Sequence, residues 1–466
     1  MANLNRTTPE SVGIPSAVLC KFLTELKSLD SLNSVMLLRH GSVCMEGWWK
    51  PYRPELNHIL FSLSKSFTSL AVGFAQAEGK LSVKDTLIGH FPEYESCVTD
   101  ERMRKVTLED LLTMRSGHAS CARPACLADP DGNWARGFIS SQFTWEPGTH
   151  FAYNSAGTYM LAAVVRKVTG LNCREYLLPR LFIPLDINPG PWECCPKGVN
   201  MGGWGLYLKT EDLAKVGQLM LQNGVWNGRQ IVPVDYLNMA TAKHADNSMN
   251  EAPDWKTGYG YQFWRSRHGF RGDGASGQFM VVLPEEDMVF ITTAGMGNMQ
   301  SILDIAWDNI LPNLWDTPLP ENPAAQAELQ TMLDSLEMPL AIGDISRRHE
   351  PAEWCFDGKN TAGVTHVSFR CEDDECVMEF RSKHGLETLR AGFGHPVCNQ
   401  HLQLADHLPR LVAADAAWTS ENTLEIHVTS YEASFRDVFV FDFGSATEPI
   451  TARCRFNTFR NPFLDF

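Results

Sequence analysis

The stretch "FSLSKSFTSL", Phe61–Leu70, offers a hydroxyl and an amine within one helical turn. Ser62 and Lys65 stand three residues apart, a spacing that puts both side chains on one face of a helix. A serine hydroxyl attacks a carbonyl only when a neighbour takes its proton. A lysine can do so once burial or nearby positive charge lowers its pKa. A serine at a helix start also turns its own N–H toward a developing oxyanion. Ser62-Leu63-Ser64-Lys65 is the only S-x-x-K in the chain. Ser64, Ser66 and Ser69 have no lysine three residues on and read as replaceable polar residues of the helix start.

Two later stretches supply what such a pair needs. Tyr153-Asn154-Ser155 follows "WEPGTHFA" at a loop-to-helix junction, where a phenol can shuttle a proton between the serine and a leaving group. "RGDGASGQ", Arg271–Gln278, opens a strand with small residues that let a substrate approach the backbone and leave an N–H free for an oxyanion. His118, His150 and His268 have no G-x-S-x-G elbow to serve, so they read as structural or peripheral. No metal or nucleotide motif occurs, and neither a metal nor a cofactor is expected.

Elements able to hold these residues are visible in the periodicity. "SVMLLRHGSVCMEGWW" reads as two strands around a His40-Gly41 turn. Phe67, Leu70, Ala71, Phe74 and Ala75 predict a helix that stops at Gly79. "VTLEDLLTMRSG" predicts a helix closed by Gly117, and residues 118–147 a long irregular loop. "AGTYMLAAVVRKVTG" predicts a helix to Gly170, and "TEDLAKVGQLMLQNG" one capped by Thr210 and ended by Gly224. "TGYGYQFW" and "GQFMVVLPEEDMVFITTAG" read as strands, the latter two joined by a Pro284–Asp287 turn, and "ILDIAWDNILPNLW" as a helix. Strands at both ends of a helical middle imply an α+β domain whose sheet draws on both ends. "DTPLPENPAAQAEL" reads as a linker. Beyond it, "THVSFRC", "CVMEFRS", "TLEIHV", "DVFVFDF" and "TARCRFNTF" alternate as strands of a small barrel or sandwich. The expected division is 1–318, a linker at 319–338, and an all-β domain at 339–466.

Composition bounds the function. The 466 residues are 44% hydrophobic and 20% charged, with a net charge of −15. No Lys/Arg-rich run invites nucleic acid or an anionic membrane. The start "MANLNRTTPESVGIP" has no secretory pattern, and no apolar run approaches a membrane span, so a cytoplasmic location is expected. Thirteen cysteines with no C-x-x-C support neither a metal site nor a disulfide framework.

S-x-x-K, a Tyr motif about ninety residues on and a Gly-rich strand opening together resemble the serine β-lactamase and penicillin-binding-protein superfamily. The resemblance is to its class C-like branch, with family VIII carboxylesterases, D-amino-acid peptidases and 6-aminohexanoate-dimer hydrolases. "GKLSVKDTLIGHFPE", "EPGTHFAYNSAGTYMLAAVVRKVTG" and "GGWGLYLKTEDLAKVGQLMLQNGVWNGRQIV" match in style, over roughly residues 8–315. It implies an antiparallel sheet flanked by helices plus a helical subdomain. It also implies Ser62 as nucleophile, Lys65 as base and Tyr153 in the proton relay. Ser155 would help hold Lys65 or the substrate. The family's Lys-Thr-Gly motif is absent. Gly272-Asp273-Gly274 takes its place, making the N–H of Ala275 the second oxyanion donor beside that of Ser62, with Ala275-Ser276-Gly277 as the alternative register. Asp273 would bring negative charge where β-lactamases carry a lysine, which disfavours an anionic β-lactam. Asp273, Gly274 and Ser155 are thus expected at the substrate. The C-terminal module resembles a lipocalin-like barrel found in some relatives. The expected function is an acyl-serine hydrolase of small esters or amides, carboxylesterase-like. The alternatives are a β-lactamase, a D,D- or D-amino-acid peptidase, an acyltransferase, and a non-catalytic penicillin-binding-like sensor or scaffold.

Overall fold

In the computed structural model, which describes residues 4–29, 31–356, 359, 363–382, 385–402, 410–444 and 451–456, a seven-stranded sheet forms the backbone of the N-terminal segment. Its order is Asn5–Arg6, Ser42–Trp48, Leu32–Arg39, Met288–Ala294, Gln278–Leu283, Phe270–Gly274 and Trp264–Arg265. All pairings are antiparallel except that of the Asn5–Arg6 strand. The sheet joins both ends of the segment as expected: Val35 lies opposite Thr292, and Leu38 opposite Val289. Its central strands are buried on both faces and read as continuous apolar runs.

Each face covers its own core. One holds the helices Ser16–Lys27 and Gln300–Asn309. The other holds Ser64–Ala77, Ser155–Thr169 and Thr210–Leu221, with the helical subdomain beyond. Ser64–Ala77 is not a surface helix: every residue from Ser64 to Ala75 is buried. Its serines therefore have structural partners. Ser64 Oγ accepts from Leu206 N, Ser66 Oγ donates to Gln262 O, and Ser69 Oγ pairs with Tyr236 OH. Each bond contributes about 1 kcal/mol and would leave a buried partner orphaned if cut, so these serines are not freely replaceable.

Several local expectations change. The helix after Val106 covers only Leu108–Leu112, because Met114 turns left-handed at φ 58°. Residues 118–147 contain two short helices, Arg123–Leu127 and Trp134–Ile139. Thr210 is the first helical residue rather than its cap, and its hydroxyl meets Ser34 Oγ. Of "TGYGYQFW" only Trp264 lies in a strand. The 319–338 segment is no extended linker: Pro323–Asp334 is a helix, capped by Asn322 and packed on Ser16–Lys27 with Leu329 buried.

The C-terminal region is one nine-stranded, mostly antiparallel sheet running from Ala352–Cys355 to Thr451–Phe456. Residues 457–459 of the expected "TARCRFNTF" strand lie outside the described residues. The rings of Phe380 and Phe441 lie 6.2 Å apart although their strands are four places apart in the sheet. Flat neighbours at about 4.8 Å spacing would separate them threefold further, so the sheet curls on itself like a barrel. Phe369, Trp418 and Phe443 fill its interior. No helix among the described residues is long and apolar enough to cross a membrane. The twelve cysteines from Cys20 to Cys398 are unpaired.

Candidate active site

Ser62 sits in a 3-10 turn, Phe61–Leu63, that runs directly into the helix Ser64–Ala77. Phe61, just before it, has φ 45°, a left-handed conformation that costs a bulky residue about 1–3 kcal/mol. Lys65, one turn later, is 1% exposed. Its Nζ lies 2.9 Å from Ser62 Oγ and 2.6 Å from the carbonyl oxygen of Gly203. Burial pushes its pKa down to about 7, only partly opposed by the negative charge of Asp273 and the Cys121 thiol. Near neutral pH a large fraction of this amine carries a free lone pair, and the hydroxyl of Ser62 is the group within its reach.

Gly203 was not foreseen as part of the site. A Cβ there would stand 2.8 Å from Ser155 O, and one on Gly202 2.7 Å from Ala162 Cβ. The paired glycines thus let the loop press against the helix Ser155–Thr169 and bring a carbonyl to Lys65. Thr68 Oγ1 donates to Gly202 O and pins the loop from the other side.

Tyr153 closes the third side. Lys65 Nζ lies 4.8 Å from its ring centroid, and the ring stacks on Trp264 at 5.6 Å. Crowding around the phenol raises its pKa well above the usual value, partly offset by a hydrogen bond with Ser62. Asn154 caps the following helix by accepting from Gly157 N and also takes the Ala122 N–H. Its amide donates to Ser116, which leads to His118 and Ser141. Burial holds the His118 pKa down at about 4, so this histidine braces the loop as a neutral ring. His150 stacks on Trp145, and His268 tilts against Trp307. Ser155 opens the helix with its backbone against Gly203, while Lys65 takes Ser62 and Gly203 as its bonded partners.

The strand Phe270–Gly274 forms the fourth side. A Cβ on Gly274 would collide with Leu60 O at 2.1 Å, and one on Gly272 would meet Ser66 Oγ at 3.1 Å. Only glycine lets this strand lie so close to the Ser62 turn. Ala275 follows at the start of a tight turn through Ser276, φ 68°, and Gly277, φ 96°. Gln278 braces the turn by donating to Ala275 O and Ala294 O. Among the described residues neither Ser62 N–H nor Ala275 N–H has a backbone acceptor.

Asp273 is not the bare negative charge expected from the sequence. Arg271, two residues earlier on the same strand face, donates Nε to its Oδ2 at 2.9 Å. The guanidinium is fully buried, stacked 4.4 Å over Trp255, and also donates to Asp254 O and Ser266 Oγ. Burial raises the Asp273 pKa to about 6 against the pull of Arg271. The pair is close to neutral overall, so the like-charge argument against an anionic substrate weakens. Elsewhere, Asp374, Glu375 and His395 bring ligand atoms within 4.8 Å of one another on the C-terminal sheet, where Glu375 already binds Arg390.

Comparison with known proteins identifies the fold. Residues 33–301 match the Beta-lactamase protein family. The chain is 25% identical over 318 residues to the 6-aminohexanoate-dimer hydrolase of Paenarthrobacter ureafaciens, covering 62% of this chain and 81% of that one. Among solved structures it is similar to EstCE1, a hydrolase with promiscuous acyltransferase activity, with TM-score 0.52 and 17% identity over 63% of this chain and 99% of that one. A penicillin-binding-protein homologue from Caulobacter crescentus gives TM-score 0.52 and 14% identity over 64% and 98%.

Proposed function

The chain belongs to the beta-lactamase family, and from that premise we propose that it is a serine hydrolase that cleaves small esters or amides through an acyl-Ser62 intermediate. One observation carries this reading: the buried amine of Lys65, its pKa lowered to about 7, stands 2.9 Å from Ser62 Oγ.

Neutral Lys65 takes the Ser62 proton as Oγ attacks the substrate carbonyl. The carbonyl π pair moves onto oxygen, which the N–H groups of Ser62 and Ala275 receive. Lys65 and Tyr153 pass the proton to the leaving alcohol or amine, and the carbon–heteroatom bond breaks with its electrons on that group. Water then attacks the acyl carbon as Lys65 takes its proton; the bond to Ser62 Oγ breaks with its electrons on Oγ, Lys65 returns the proton there, and the acid leaves with Ser62 and neutral Lys65 restored. An alcohol or amine in place of water makes the same sequence an acyl transfer. Gly274 lets its strand lie against the Ser62 turn, beside the substrate, and Ser155 flanks the substrate on the helix side. Asp273, buried and held by Arg271 on that strand, would meet the substrate as part of a pair rather than as a free charge.

A carboxylesterase-like activity is the leading form. The near-neutral Arg271–Asp273 pair keeps a β-lactamase or D-amino-acid peptidase in contention. Intact mass after a fluorophosphonate, on wild type and Ser62→Ala, tests the mechanism. The expected result is one adduct on wild type and none on the variant. Equal labelling of the two overturns it and moves the nucleophile elsewhere, and no labelling of wild type overturns it and leaves a non-catalytic penicillin-binding-like role. Turnover of p-nitrophenyl butyrate against nitrocefin then separates esterase from β-lactamase.

A further inference from the structure

The short run that leads into Ser62 is gripped from two sides. On one, Ile59 pairs with Tyr207, and Leu60 N–H donates to Leu206 O at 2.9 Å. On the other stands the C-terminal sheet. The turn joining its strands Thr423–Ser430 and Arg436–Asp442 reaches across to this run. Ile59 N–H donates to Glu432 O at 2.9 Å, and Tyr52 OH donates to Ala433 O at 3.0 Å. Phe435 meets Phe61 edge to face, with centroids 5.9 Å apart and planes at 72°. Ile59, Ala433 and Phe435 are buried together, with Phe61 and Tyr207 packed on them. The turn is itself fastened, since Ser430 N–H donates to Phe435 O and Tyr431 N–H to Leu411 O.

Phe61 is the residue with the left-handed backbone, and it immediately precedes Ser62. A phenylalanine leaves that region unless its surroundings hold it there. The torsions of Phe61 set where the Ser62 hydroxyl points, and a misplacement of an ångström at a reacting atom is enough to slow chemistry strongly.

We propose that the 431–435 turn of the C-terminal sheet is a working part of the active site, in which Phe435 is a positioning residue that holds Phe61, and through it the Ser62 hydroxyl, in line for attack. The proposal rests on Ser62 being the nucleophile. It gives the C-terminal sheet a catalytic duty that the beta-lactamase segment alone does not contain.

The test uses the full chain carrying Phe435→Ala, Phe435→Leu or Tyr52→Phe. The readouts are the rate of fluorophosphonate labelling at Ser62, kcat and KM on p-nitrophenyl butyrate, thermal unfolding, and hydrogen exchange of the amides of residues 59–64. Phe435→Ala is expected to slow labelling and lower kcat about 10- to 100-fold with KM little changed. Exchange in 59–64 should quicken while that of the helix Ser155–Thr169 stays as in wild type. Phe435→Leu, which refills the volume, should recover most of the rate. Tyr52→Phe, which loses one hydroxyl, should act in the same direction more weakly, and it carries the test if Phe435→Ala does not fold. Labelling and kcat within about twofold of wild type in a folded variant overturn the proposal while Ser62 stands as nucleophile. A wild type that takes no label removes the nucleophile itself, and the proposal with it.

Discussion

Lys65 Nζ and Ser62 Oγ lie 2.9 Å apart in a space that leaves the lysine 1% exposed. A lysine ammonium there is costly, and the same burial that makes it costly makes the amine a usable base.

The rate should therefore follow the titration of that amine. We expect kcat/KM on a neutral ester to rise tenfold per pH unit at acid pH and to level off above about 7, where Lys65 is neutral. Tyr153, with its pKa raised by burial, should add no decline below about pH 10. A pH–rate profile from pH 5 to 10 checks both limbs. Lys65→Arg, which cannot lose its proton in this range, should lack the rise altogether.

Lys65 should also cost stability. Its pKa is 10.5 when free and about 7 when folded. Between these values the unfolded chain holds a proton that the folded chain does not, so stability rises with pH across that window. Lys65→Met should abolish activity yet stabilise the fold at pH 7 by about 1–3 kcal/mol and flatten the slope between pH 7 and 10. Urea unfolding at several pH values measures this.

Tyr153→Phe isolates the phenol. The ring keeps its stacking on Trp264 and its contact with Lys65. We expect kcat to fall about 10²- to 10⁴-fold with an unfolding temperature close to wild type, because only the proton route is lost. Steady-state kinetics beside a thermal scan distinguishes this from loss of packing.

Arg271 and Asp273 should behave as one unit. Arg271→Met strands a buried carboxylate and should cost about 3–5 kcal/mol. Adding Asp273→Asn to it should return about 1–3 kcal/mol of that loss, a coupling visible in a double-mutant cycle of unfolding free energies.

The parts of this site that sequence exposes are those in which chemistry demands a residue type at a short spacing. Ser62 and Lys65 are one turn apart, and Tyr153 directly precedes the cap of a helix with strong apolar periodicity. The Gly203 carbonyl has no such signature, because any residue carries a carbonyl and only the fold brings this one to Lys65. The Arg271–Asp273 pair left a trace that was passed over: residues two apart on a strand share a face. At the presumed linker, three prolines masked a helix start, although Asn322 before Pro323 is the ordinary cap-and-first-residue pattern. "TGYGYQFW" alternates like a strand, yet Gln262 turns to φ 65° and spends its amide on the carbonyls of Leu111 and Leu112. Helices of five or six residues, as at Arg123–Leu127, are too short for a period to register.

The sheet that pairs Val35 with Thr292 also sets a schedule for the newborn chain. The serine and its lysine leave the ribosome early, but the strand that closes their site is made some two hundred residues later. At about 5–20 residues per second that interval lasts roughly 10–40 s. Until it ends, the serine proposed as the nucleophile lacks its proposed oxyanion cradle. On the proposed reading the chain is born inert, and it becomes competent only once the 431–435 turn that holds Phe61 has also been made, when more than nine tenths of its 466 residues have been synthesised.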